Sequence, residues 1–206
     1  MTAGPRRAPE LGSEPAPGSE PGPGREPGPG SEPAPEGDLE LAGERVRLRP
    51  LRAADRERLR EIFAQPDVAR WWGAPNADAA VDEWLEPDDD SVGFAIEIDG
   101  RVAGSIQYAE ENEPEYRHAA VDLFLDGRHQ GQGLGPDAIR TLARYLFEVR
   151  GHHRLTIDPA ASNERAIRAY RRVGFQPVGI MRRYERGPNG SWHDGLLLDL
   201  LVDELT

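Results

Sequence analysis

Asp122 interrupts AAVDLFL (119–125), a run that is otherwise apolar. A carboxylate placed there without a partner costs several kcal/mol, and a substrate ammonium is its natural counter-charge. A little further on, HQGQGLG places glycines at 131, 133 and 135 directly ahead of an amphipathic run. Alternate glycines between a strand and a helix gather free backbone N–H groups and the positive helix end at one point, which suits an anionic phosphate. A tight strand-to-helix turn uses the same residues. Glu110, Glu111, Glu113 and Glu115 form an acidic cluster that reads either as a holder of several ammonium groups or as a solvated loop. Asp158, at a strand end before Pro159, reads as a substrate contact or as a turn residue. A polyamine arrives protonated, so one carboxylate has to act as a base before the nitrogen can attack. Trp71 and Trp72 are adjacent and cannot both face one core; at least one of them should line a cleft, where an aromatic face suits a sugar ring or a cation.

Composition narrows the chemistry further. The chain has 206 residues and no cysteine, which removes disulfides, thiolate metal sites and cysteine nucleophiles. The five histidines lack metal-ligand spacing with supporting acids, so no metal is assigned. A formal net charge of −12 disfavours nucleic acid and anionic membranes as partners and suits a cationic small molecule. No signal-peptide core or membrane-length apolar run stands in the sequence, and a cytoplasmic protein is expected. Residues 1–37 contain ten prolines and eight glycines with almost nothing apolar larger than alanine. Such a segment cannot bury enough surface to offset its ordering entropy, so residues 1–38 are expected to be a disordered tail and 39–206 one folded domain.

Periodicity supplies the elements that must position these residues. Residues 46–51, 92–110 and 118–126 alternate as strands, with Asp99-Gly100 as a hairpin turn. Leu59, Ile62 and Phe63 share one helical face, residues 77–86 read as a short helix, and Ile139, Leu142, Ala143, Leu146 and Phe147 repeat at helical spacing after the glycine loop. A short strand at 154–159 precedes a helix capped by Asn163 and ended by Gly174, then strands at 175–185 and 192–202 flank the GPNG turn. The order β-α-α-β-β-β-α-β-α-β-β predicts an α/β (α+β) fold, a mixed and mostly antiparallel sheet with helices on both faces. A dinucleotide fingerprint would sit in an opening βαβ unit, which this order lacks.

The motif that narrows the reading is NERAIRAYRRVGF (163–175), with Asn163, Ala166, Tyr170 and Gly174-Phe175 at fixed spacing. Taken alone, Asn163 reads as a cap and Tyr170 as a core aromatic. Paired with Gln130-x-x-Gly133-x-Gly135, the motif resembles the GNAT family of acetyl-coenzyme A dependent N-acetyltransferases over about residues 44–204. The resemblance implies acetyl-CoA as cofactor and the GNAT fold. It further implies that Gln130, Gly131, Gln132, Gly133, Leu134 and Gly135 cradle the pyrophosphate, that Leu123, Phe124 and Leu125 pair with the pantetheine arm, and that Asn163 and Ala166 contact the cofactor. RWWGAPNADAAVDEWL (70–85), YAEENEPEYRHAAVDLFL (108–125) and GFQPVGIMRRYE (174–185) resemble the aminoglycoside 6'-N-acetyltransferases, and hydroxylysine acyltransferases have a similar layout. In that likeness Asp122 is the general base and Asp158 a substrate contact, while the GNAT resemblance makes Tyr170 the proton donor to the departing thiolate; Trp71, Trp72, Glu110, Glu111 and Glu113 are expected from their own chemistry to meet the substrate. Direct transfer in a ternary complex follows, with a backbone N–H near residues 123–125 for the oxyanion. The alternatives are acylation of hydroxylysine, a polyamine or a protein amine, and a non-catalytic acyl-CoA-binding module. Either a monomer or a homodimer is compatible with the sequence.

Overall fold

Alternating side chains build most of the fold, in a computed structural model that describes residues 39–72, 77–86, 90–187 and 190–206. The expected disordered tail (1–38), and Pro188 and Asn189 of the expected turn, lie outside the described residues. The strands are β1 (Leu41–Ala42), β2 (Arg47–Pro50), β3 (Ser91–Ile98), β4 (Arg101–Glu111), β5 (His118–Leu125), β6 (Arg154–Ile157), β7 (Gln176–Arg186) and β8 (Trp192–Leu201). The helices are α1 (Arg56–Phe63), α2 (Pro66–Trp72), α3 (Ala77–Leu85), α4 (Leu134–Glu148) and α5 (Glu164–Arg171). All eight strands join one sheet in the order β1-β2-β3-β4-β5-β6-β8-β7. Only β5 and β6 run parallel; the other pairings are antiparallel, as the hairpin signals require.

The two sheet faces carry separate cores. Leu48, Phe94, Ile96, Ile106, Ala119 and Val121 pack under α4, whose Ile139, Leu142, Ala143, Leu146 and Phe147 are all buried. Phe124 points to the opposite face, where Leu59, Ile62 and Phe63 of α1, Val68 of α2 and Ala80, Val81 and Trp84 of α3 enclose it. Because successive strand residues face opposite sides, Asp122 shares the Phe124 side of β5.

α2 was not among the expected elements. Its apolar positions are too few to show a helical period, and it forms because Pro66 suits a first helical turn while the Gln65 carbonyl accepts the Val68 and Ala69 N–H groups. β8 takes an internal place between β6 and β7, so LLLDLLV is a central strand and β7 is the edge. α5 stops at Arg171, two residues short of the expected end, with Gly174 at φ 119° just beyond. No helix among the described residues is long and apolar enough to cross a membrane.

Candidate active site

β5 and β6 are paired only at Ala119↔Leu155 and Ala120↔Thr156, after which they diverge. Residues 121–125 therefore keep β4 on one side and have no strand partner on the other. A cavity of about 970 Å³ opens in that gap. Leu123, Phe124 and Leu125 line it, with Gln130, Gly131, Gly133, Gly135 and Pro136 of the glycine loop and Asn163, Ala166 and Tyr170 of the α5 segment. An unpaired strand edge is a row of free amide and carbonyl groups, suited to the amides of an extended chain.

The glycine loop is held in place from below. Asp126 is fully buried and caps the short turn at residues 127–129, accepting the Arg128 N–H and guanidinium and an ion pair from Arg58. Burial opposes ionisation, yet Arg128 and Arg58 hold the Asp126 carboxyl far below the usual carboxylate range. Gln130 then donates from Nε2 to the Leu125 carbonyl at 2.8 Å, while its Oε1 is buried without a protein partner. Gly131 and Gly133 take φ of 76° and 83°, and a Cβ on either would meet nothing within 4 Å. The backbone thus stays bare at the mouth of α4, whose first N–H groups have no acceptor inside the helix. These features fit a pyrophosphate attached to an amide-bearing arm. Gln132 does not line the cavity; its carbonyl accepts from Arg45 and its amide reaches the Arg128 carbonyl. The Leu134 side chain is 1% exposed and belongs to the core, leaving only its backbone to the loop.

At the other end of the gap the charge reverses. Asp122 lies opposite Gln107 on β4 and lines the cavity with Asp158 and Glu185. Enclosure by the fold, then the neighbouring charges of Asp158 and Glu185, push Asp122 up to about 8, with Gln107 opposing. Burial also raises Asp158 and Glu185; a Tyr184 hydroxyl contact opposes the rise at Asp158. The Tyr170 hydroxyl is raised by burial and by Asp122 and Asp158, so it keeps its proton across the neutral range. Asn163 caps α5 as expected, accepting the Ala166 N–H at 3.2 Å, and still faces the cavity.

Both tryptophans line the cavity. Trp72 meets Phe63, Trp84 and Phe124 edge-to-face at the rim of the second core, and Trp71 carries the Arg70 guanidinium 4.7 Å above its ring. The glutamate cluster does not line this cavity. Glu110 is taken by Arg150 and His152 at 2.7 Å each; although burial opposes ionisation, these partners hold it down at about 2. Its strand position puts it at the end of β4 beside Ala119, away from the diverging end of β5. Glu111, the last residue of β4, and Glu113, in the loop that follows, are exposed and do not line the cavity. These glutamates form a solvated strand end and loop, in which Glu110 is tied to Arg150 and His152.

Tyr184, Glu185 and Trp192 from the β7–β8 hairpin also line the cavity, as do Arg165, Arg168 and Arg172 of the α5 segment. Sequence reading missed them because strand and helix periodicity says which face a residue takes, not which distant element that face meets. Among the described residues, no group of three or more His, Asp or Glu is placed to hold a metal ion.

Residues 45–176 match the family model for the acetyltransferase (GNAT) domain. The chain is 28% identical over 157 residues to spermidine N(1)-acetyltransferase of Escherichia coli K12, covering 73% of this chain and 83% of that protein. It is also 28% identical over 159 residues to aminoglycoside N(6')-acetyltransferase type 1 of Klebsiella pneumoniae, covering 68% and 78%. The fold superposes on Mycobacterium smegmatis RimJ in complex with CoA-disulfide with a TM-score of 0.72 at 21% identity, over 82% of this chain and 90% of that one.

Proposed function

This chain belongs to the GNAT family of acetyl-CoA dependent N-acetyltransferases, and on that premise we propose that its acceptor is the 6'-amine of an aminoglycoside. The observation that carries this reading is the convergence of Asp122, Asp158 and Glu185 beside aromatic rings at one end of a cavity whose other end is the bare glycine loop. Three carboxylates enclosed together repel one another and bind protons or cations to relieve it. A compact polycation supplies several ammonium groups at once, and the Trp71 and Trp72 faces suit its sugar rings.

Acetyl-CoA supplies an acyl group already activated as a thioester. Residues 130–135 would hold its pyrophosphate, the open edge at residues 123–125 would align its arm, and Asn163 and Ala166 would flank it. Asp122 takes a proton from the substrate ammonium, directly or through water, leaving the nitrogen lone pair free to attack. A backbone N–H on the same strand edge is available to a developing oxyanion, and Tyr170 retains a proton for a departing thiolate. Holding the amine and the acyl carbon together accounts for most of the acceleration, since positioning alone reaches roughly 7–11 kcal/mol.

A second reading, acetylation of a linear polyamine, is favoured by the spermidine enzyme's equal identity and larger coverage. A thiol-release assay with acetyl-CoA against kanamycin, amikacin, gentamicin, spermidine and hydroxylysine separates the two. Turnover of aminoglycosides bearing a free 6'-amine, lost in Asp122→Ala, supports the first reading. Turnover of spermidine alone moves the assignment to the second.

A further inference from the structure

β7 departs from regular strand geometry where it reaches the acidic end of the cavity. Met181 pairs with Gly195 and Glu185 with His193, so Arg182, Arg183 and Tyr184 stand opposite the single residue Asp194. Arg183 takes φ 51°, a left-handed conformation uncommon for a side chain of its size. Its N–H is received by the Asp194 carboxylate at 2.8 Å. The Asp194 carbonyl accepts the Ala161 N–H at 2.8 Å, Gly195 bridges Ala160, and the Pro159 carbonyl accepts the Leu196 N–H at 2.9 Å. One stretch of β8 thus grips both the β7 bulge and the loop that carries Asp158.

The bulge changes where side chains point. In a regular strand Tyr184 and its neighbour Glu185 would face opposite sides, yet both line the cavity here. Gly195 makes room for this, since a Cβ on it would come within 3.0 Å of the Tyr184 ring and 3.1 Å of Met181. With no side chain below it, the Tyr184 ring lies over β8 and its hydroxyl reaches Asp158.

We propose that Asp194 and Gly195 are positioning residues for acceptor specificity: they hold the strained bulge that turns Tyr184 and Glu185 towards Asp158, making a subsite for a second positive charge on the amine substrate. Neither residue lines the cavity. The inference rests on the amine-acetylating reading above. It adds that charge number on the acceptor, beyond the reacting nitrogen, is read by β7.

The test compares wild type with Asp194→Ala, Asp194→Asn and Gly195→Ala, using as acceptors the polycation that the wild type acetylates, kanamycin or spermidine, and butylamine, with calorimetric coenzyme A binding as the control. In Asp194→Ala the KM for that polycation should rise roughly ten- to a hundredfold, the scale of a lost charge-assisted contact. The KM for butylamine and the coenzyme A affinity should stay as in wild type, so the preference for the polycation collapses. Gly195→Ala should act in the same direction. Asp194→Asn, which keeps an oxygen acceptor for the Arg183 N–H, should recover most of the preference. Glycine adopts positive φ freely, so Asp194→Ala should cost less in an Arg183→Gly background. Unchanged discrimination in Asp194→Ala, or a parallel loss of coenzyme A affinity, overturns the proposal. A wild-type protein that binds coenzyme A but acetylates no amine defeats the function assigned above. The clamp is then read by amide hydrogen exchange at residues 182–186, which must quicken in Asp194→Ala and would sink the proposal if it did not.

Discussion

At the scale of single residues, Asp122 sets the pH behaviour. Its carboxyl is pushed up to about 8 by burial and by Asp158 and Glu185, so at neutral pH the fold favours the neutral acid. A group raised on folding contributes stability below its ordinary value of 3.8, and that contribution is lost as pH climbs towards about 8. Thermal unfolding without substrate should therefore show stability falling from pH 4 to pH 8, with a flatter profile in Asp122→Asn. The same variant should lose roughly 10²–10⁴-fold in kcat, the range for removing a general base, together with the alkaline rise in kcat/KM. Tyr170→Phe keeps the ring that packs on the core and removes only the hydroxyl. We expect reduced kcat at unchanged coenzyme A affinity; a fall in affinity instead would assign Tyr170 to cofactor binding alone.

At the scale of elements, the site depends on how the strand-to-helix junction is fixed. Asp137 in α4 accepts the backbone N–H groups of Glu44, Arg45 and Val46 at 2.8–3.1 Å, tying the start of the domain to the helix that presents the glycine loop. Asp137→Ala strands those donors and should destabilise the fold by about 1–3 kcal/mol, read as a lower denaturant midpoint. Gly133 stands at the N-cap of the same helix at φ 83°. Gly133→Val forces a branched side chain into the left-handed region at a cost of roughly 1–2 kcal/mol and covers the bare backbone. Coenzyme A binding should weaken more than stability does; equal loss would make the glycine merely a cap. α4 was legible because its apolar residues keep one period over 15 residues, whereas α2 spans only seven.

For the whole molecule, the net charge of −12 conceals a divided cavity. Asp122, Asp158 and Glu185 gather where β5 and β6 part, while Arg165, Arg168 and Arg172 come from the α5 segment. Such a division would draw an anionic cofactor and a cationic acceptor to different regions of one cleft. Raising salt from 50 to 500 mM should raise the KM for a polycation more than that for a monoamine, because the screening length shrinks to a few ångströms. A salt-independent KM ratio would argue that the carboxylates do not sense the acceptor's charge.

The sequence by itself determined the sheet and helix pattern apart from β1 and α2, the glycine loop, the Asn163 cap and the isolated Asp122, because each is a local matter of period, backbone freedom or the cost of a buried charge. It left Glu110 ambiguous, since only the fold brings Arg150 and His152 to it from about 40 residues away. Tertiary structure alone decided that β8 enters between β6 and β7, that β5 and β6 separate after two paired residues, and that a bulge turns Tyr184 and Glu185 inward. Those are choices among long-range pairings with similar local signals, and they are settled by how the two cores pack against the sheet as a whole.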